Sequence, residues 1–85
     1  MKSAEKMLKA FANRRRLAIV KYLKRGEAAV GDIAGEINLS FRSTSRHLAV
    51  LTAAEILERE QRSSQVYYRL VPPQNSVTRA IINSL

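Results

Sequence analysis

Eighty-five residues, 46% of them hydrophobic and none of them cysteine, make one small globular domain, and this composition excludes a disulfide framework and every thiolate metal site. No apolar run approaches the ~20 residues of a membrane span, and Met1-Lys2-Ser3 leads into an amphipathic pattern rather than a signal peptide, so a soluble cytoplasmic protein with no membrane span is expected. The formal charge of +8 is concentrated in residues 1–25, with nine bases and one acid, so nucleic acid is the first expected partner and an anionic membrane surface the second.

In chain order, Ser3 to Ala12 places Met7, Leu8 and Phe11 at helical spacing, with Glu5 near the positive end of the dipole, and predicts a first helix. Asn13 offers an N-cap before Arg14-Arg15-Arg16. Leu17, Ile19, Val20, Tyr22 and Leu23 then form a wide apolar stripe that stops at Gly26, which predicts a second helix central to the core. Ala28-Ala29-Val30 suit a short strand. Val30, Ile33, Ala34 and Ile37 mark a third helix of about two turns, weakened by Gly31 and Gly35 and closed by Asn38, which tolerates the left-handed conformation.

Only Asn38-Leu39-Ser40 separate this helix from a fourth, which Ser40 can cap by accepting a bond from an orphan backbone N–H. Helix, short turn and capped helix are the layout of a helix-turn-helix, here about residues 30–53. At 100° per residue, Thr44, Leu48 and Leu51 fall on one side of the fourth helix, with Arg42 and Arg46 nearly opposite and Ser43 and Ser45 flanking them. One face can anchor the helix while the other meets a DNA groove. A guanidinium can bond bidentately to guanine or phosphate, and short serines let the backbone approach closely.

Ile56 to Arg62 and Gln65 to Leu70 are β-compatible runs joined by Ser63-Ser64, which predicts a hairpin over about residues 56–71 with a polar, partly basic tip. Tyr67 and Tyr68 point to opposite faces, so one of them packs inward. Pro72-Pro73 block further strand. Val77, Ile81 and Leu85 then repeat at i, i+4 and i+8 and predict a final helix over about residues 73–85, too short to stand without a packing partner. The expected fold is mainly α with a β-hairpin wing: four helices, two strands and a fifth helix in one winged helix-turn-helix domain spanning residues 1–85.

Three stretches resemble the ArsR-type winged helix-turn-helix repressors. Leu8-Lys9-Ala10-Phe11-Ala12-Asn13 followed by Arg16-Leu17-Ala18-Ile19-Val20 is similar to that family's opening pattern LKALADPTRLRIL. Ser45-Arg46-His47-Leu48-Ala49-Val50-Leu51 resembles its recognition-helix signature SRHLKVL, and Val66-Tyr67-Tyr68-Arg69-Leu70 its second wing strand VYYRL. The resemblance implies a sequence-specific regulator of double-stranded DNA, a repressor that works as a homodimer joined through its first and last helices. One recognition helix per subunit would enter successive major grooves, with half-site centres roughly 34–36 Å apart.

Departures from the family pattern are equally informative. Glu27 to Asp32 stand where metal-sensing members carry cysteines, and residues 73–85 hold none of the aspartate, histidine or glutamate ligands that other members use. No metal at those sites and no other cofactor is therefore expected. Glu55 replaces a glycine common after the recognition helix, and Ser63-Ser64 replace a glycine-bearing wing tip.

The residues expected to touch DNA are Ser40, Arg42, Ser43, Ser45, Arg46, His47 and Arg62, with Ser40 mainly a cap and His47 in a phosphate or packing role. Those expected to join subunits are Met7, Leu8, Phe11, Val77, Ile81 and Leu85. Arg16 is structural by its position in the resemblance, and Arg14 to Arg16 together are candidate phosphate clamps. No phosphate-cradling glycine loop, metal-ligand cluster or activated nucleophile points to an enzyme. The competing reading is a winged helix that docks on protein or RNA without operator-specific DNA binding, with a membrane-surface protein as a third.

Overall fold

A computed structural model describes residues 2–85. They form α1 (Lys2–Phe11), α2 (Arg14–Leu23), β1 (Ala28–Ala29), α3 (Val30–Ile37), α4 (Phe41–Ala53), β2 (Leu57–Arg62), β3 (Gln65–Leu70) and α5 (Ser76–Asn83). The arrangement is a winged helix-turn-helix, and its corners sit where the capping residues put them. Asn13 Oδ1 accepts the N–H groups of Arg15 at 2.9 Å and Arg16 at 3.0 Å, which starts α2. Asn38 closes α3 with φ 54°, ψ 53°, and Ser40 Oγ accepts the Ser43 N–H at 3.1 Å to open α4. Gly26, at φ 135°, carries the chain out of α2 through a backbone conformation that a side chain would strain.

The sheet has three strands in the order β1-β3-β2, all antiparallel. Ala28 and Ala29 pair with Tyr68 and Tyr67, so the hairpin is tied at its base to the segment just before the helix-turn-helix. Arg62 and Gln65 pair across the two-residue turn Ser63-Ser64, where Ser63 takes φ 55° in place of a glycine. Tyr68 is buried and Tyr67 is half-exposed, as strand alternation requires.

The core is a single cluster that runs from Met7, Ala10 and Phe11 of α1, through Ile19, Val20 and Leu23 of α2 and Ile33 of α3, to Leu48 and Leu51 of α4 and Leu57 of β2. Ile19, Ile33, Leu48 and Leu51 are fully buried. Each such side chain stabilises the fold by about 1.5–3 kcal/mol, a large share of the roughly 5–10 kcal/mol available to a domain of this size. Any one of them truncated to alanine is therefore a threat to folding.

Two expectations are corrected here. Met7 and Phe11, expected between subunits, are 9% and 4% exposed and belong to the chain's own core, because α1 folds back onto α2 and α4. The last helix begins at Ser76 rather than near residue 73, because Asn75 Oδ1 accepts the Thr78 N–H at 2.8 Å and caps it there. Its inward face is Thr78 and Ile82, with Ile81 and Leu85 at the margin of the core and Val77 turned outward at 50% exposure.

Candidate nucleic-acid interface

The rotation of α4 about its own axis follows from the three residues it buries. Thr44, Leu48 and Leu51 are inaccessible, and this turns Arg42 and Arg46 to solvent, with Ser43 and Ser45 half-buried on their flanks. The two arginines stand one helical turn apart, about 6 Å along the axis. Phe41, in the first turn of the same helix, is 63% exposed, and Val50 is exposed further along. Phe41 was not among the expected contacts. Its signal in the sequence was its first-turn position, which lies at the end of α4 beyond the packed stripe.

Electrostatics separate the arginines of α4 from Arg62 and Arg69 of the wing. Among the described residues the ion pairs gather on Arg62 and Arg69, and none involves Arg42 or Arg46. Arg62 donates to both carboxylate oxygens of Glu27, at 2.7 and 2.8 Å, and to Glu60 at 3.1 Å, while its guanidinium lies 4.5 Å from the centroid of the Tyr67 ring. Arg69 donates to Glu58 at 3.0 Å and Glu60 at 2.9 Å. The two guanidinium groups hold the Glu60 carboxyl at about 2, and the Arg62 hydrogen bond holds Glu27 below its ordinary value. Arg62, expected to touch DNA, is engaged within the chain: its guanidinium bridges the wing and the loop before β1.

His47 sits at the border of the anchored face. Arg16 Nη1 lies 3.3 Å from its Nδ1, and burial first, then the charges of Arg16 and Arg15, lower its pKa below 6.5. The imidazole is therefore neutral near pH 7. With Nδ1 accepting from the guanidinium, the ring proton belongs on Nε2. Arg16 also donates through Nε to the Ala10 carbonyl at 2.6 Å and through Nη2 to that of Lys9 at 3.0 Å, so it satisfies carbonyls at the end of α1. Of the candidate clamps, Arg16 is structural and Arg14 and Arg15 remain on the surface. Ser40 spends an acceptor on its cap, leaving its hydroxyl proton and the arginine side chains as outward-facing donors. No group of three or more histidine, cysteine, aspartate or glutamate side chains among the described residues could hold a metal ion.

The apolar residues expected between subunits divide similarly. Leu8 is 51% exposed and Val77 50%, while Ile81 and Leu85 are partly covered by the core. α1 and α5 are neighbours, with Ala4 and Met7 on one side and Val77 and Thr78 on the other lining a hollow of about 450 Å³. No helix among the described residues is long and apolar enough to cross a membrane.

Comparison with known proteins agrees with this geometry. Residues 13–59, from the cap of α2 into β2, match the family described as bacterial regulatory protein, arsR family. The transcriptional repressor SdpR of Bacillus subtilis is 36% identical over 64 residues, 75% of this chain and 71% of that protein. The transcriptional activator HlyU of Vibrio cholerae is also 36% identical over 64 residues, and there the match spans 75% of this chain but 59% of the relative. The structure of reduced HlyU from Vibrio cholerae superposes with a TM-score of 0.84 at 32% identity, covering 99% of this chain and 85% of that one. A solution structure of the homodimeric winged helix-turn-helix DNA-binding domain of a possible ArsR-family transcriptional regulator from Mycobacterium bovis gives 0.85 at 29% identity, covering 98% and 75%.

Proposed function

Because this chain belongs to the ArsR family of bacterial regulatory proteins, we propose that it is a homodimeric, sequence-specific DNA-binding repressor of the cytoplasm, acting as one domain over residues 1–85. Its α4 enters the major groove, and promoter occupancy excludes polymerase. What supports this above all is the distribution of charge: Arg42 and Arg46 stand on the outward face of α4 with no acid paired to them, while Arg62 and Arg69 of the wing are paired with acids. An unpaired guanidinium loses little on meeting a guanine edge or a phosphate, since it has no internal partner to give up. Ser43, Ser45 and the Nε2–H of His47 supply neutral donors beside them for backbone oxygens, with Ser40 primarily a cap.

Subunit contact falls to Leu8 and Val77, with Ile81 and Leu85 beside them, on the two helices whose outer faces the chain itself leaves uncovered. Two α4 helices related by a dyad would then read half-sites about one turn of DNA apart. The test is selection of bound duplexes from a random-sequence pool at physiological salt, combined with mass measurement of the free protein. An enriched palindrome and a two-subunit mass are expected. Equal retention of unrelated sequences, or preference for RNA at matched salt, would overturn the proposal.

A further inference from the structure

We infer that Phe41 is a specificity-determining residue that reads the C5-methyl group of a thymine at the edge of the major groove; the inference rests on the DNA-binding function proposed above. Phe41 opens α4 immediately after the Ser40 cap, and the first turn of a recognition helix is the part that reaches base edges. Its ring is 63% exposed, the most exposed of the large apolar side chains described. Leaving that much aromatic surface in water gains the free protein nothing in stability. The ring does not stand alone on a flat surface but opens onto a groove it shares with Val66, a setting suited to an apolar group met on binding.

The surroundings of the ring narrow the identity of that partner. Phe41 forms one wall of a groove of about 320 Å³, whose other walls come from residues 29–32 of β1 and α3, Asp32 among them, and from residues 64–66 of the wing. These residues include one carboxylate and no base, so no side chain of the groove itself favours a phosphate. In duplex DNA the apolar group displayed in the major groove is the thymine methyl, and phenylalanine is among the side chains suited to contact it. Arg42 then holds the adjacent guanine or phosphate and Phe41 discriminates at the neighbouring position. Phe41 thereby reads thymine against cytosine at its own position, through the methyl group that cytosine lacks.

The test uses duplexes that the full chain selects from a random-sequence pool, resynthesised with uracil in place of thymine one position at a time, so that each change removes a single methyl group. At one position per half-site the wild-type protein is expected to bind the uracil duplex roughly three- to tenfold more weakly, the worth of burying one methyl. Phe41→Ala is expected to bind the thymine and uracil duplexes alike at that position while melting at the wild-type temperature. Phe41→Leu is expected to keep part of the preference. Equal binding of thymine and uracil duplexes by the wild type, or undiminished methyl sensitivity in Phe41→Ala, would overturn the inference and leave the DNA-binding function standing. Failure to enrich any duplex would remove both.

Discussion

Arg16 and His47, 31 residues apart in sequence, meet at 3.3 Å between Nη1 and Nδ1, and through this contact the end of α1, the start of α2 and the middle of α4 share one guanidinium. The side chain compensates for its own unfavourable position, a cation in the first turn of a helix, by bonding to the Lys9 and Ala10 carbonyls at the negative end of another. Arg16→Met should therefore cost about 1–2 kcal/mol, or a fall in Tm of about 5–15 °C. His47, relieved of one of the charges that lower its pKa, should titrate closer to 6.5. Thermal melts and an NMR titration of the imidazole read the two effects separately. In the wild type the folded-state value lies below the unfolded one, so the unfolded chain takes up the proton first. Stability should be complete above pH 6.5 and decline as the pH falls below it.

Arg42 and Arg46 lie on the outward face of α4 and make no ion pair among the described residues. Alanine at either position should leave Tm within about 2 °C of wild type, since nothing internal is lost. A residue that reads a guanine bidentately should cost about 1–3 kcal/mol of operator affinity on removal and relax preference at one base pair. One that binds phosphate should weaken all duplexes similarly and lower the salt slope by about one. Affinities measured across a salt series for both variants assign each arginine to one class. Wild-type affinity in both would refute the placement of α4 in the groove.

Glu27 occupies the Arg62 guanidinium near the tip of the wing. Glu27→Gln should release Arg62 from its bidentate partner and leave Glu60 as its one remaining acid, raising duplex affinity severalfold at low salt and steepening the salt slope by up to about one. The added substitution Arg62→Ala should cancel that gain, whereas in the wild-type background it should change affinity less than twofold. The clamp is insensitive to pH in the physiological range. Glu60, held at about 2 by Arg62 and Arg69, contributes its share fully above its ordinary value of 4.5 and loses it only as the pH falls toward 2. Wing amide shifts should accordingly be flat from pH 8 to about 5.

Two stabilising substitutions follow from local strain and desolvation. Glu55 holds φ 62° at the turn after α4, a conformation that costs a side chain roughly 1 kcal/mol and a glycine nothing, so Glu55→Gly should raise Tm by about 3–6 °C. The Thr44 hydroxyl is fully buried without a hydrogen-bond partner, and Thr44→Val should stabilise by about 1 kcal/mol by removing that desolvated group. Neither change touches the outward face of α4, so DNA affinity should be unaltered in both.

Caps and periodicities made most of the fold legible in the chain itself. Asn13, Asn38 and Ser40 act on backbone groups within four residues of themselves, so their roles needed no knowledge of distant segments. The division of α4 into a buried side with Thr44, Leu48 and Leu51 and an open side with Arg42 and Arg46 follows from helix geometry alone. Periodicity reveals that a face is apolar; it does not reveal what covers it. Met7 and Phe11 could serve a partner or the core until the fold brought α2 and α4 over them, and Val77 could look inward until Asn75 set the start of α5. Arg62 likewise reads as a free cation until β1 pairs with β3 and brings Glu27, 35 residues away, within 2.7 Å. Local hydrogen bonding and helical phase depend on neighbours in sequence, whereas burial and the pairing of charges depend on chain segments that only long-range packing brings together.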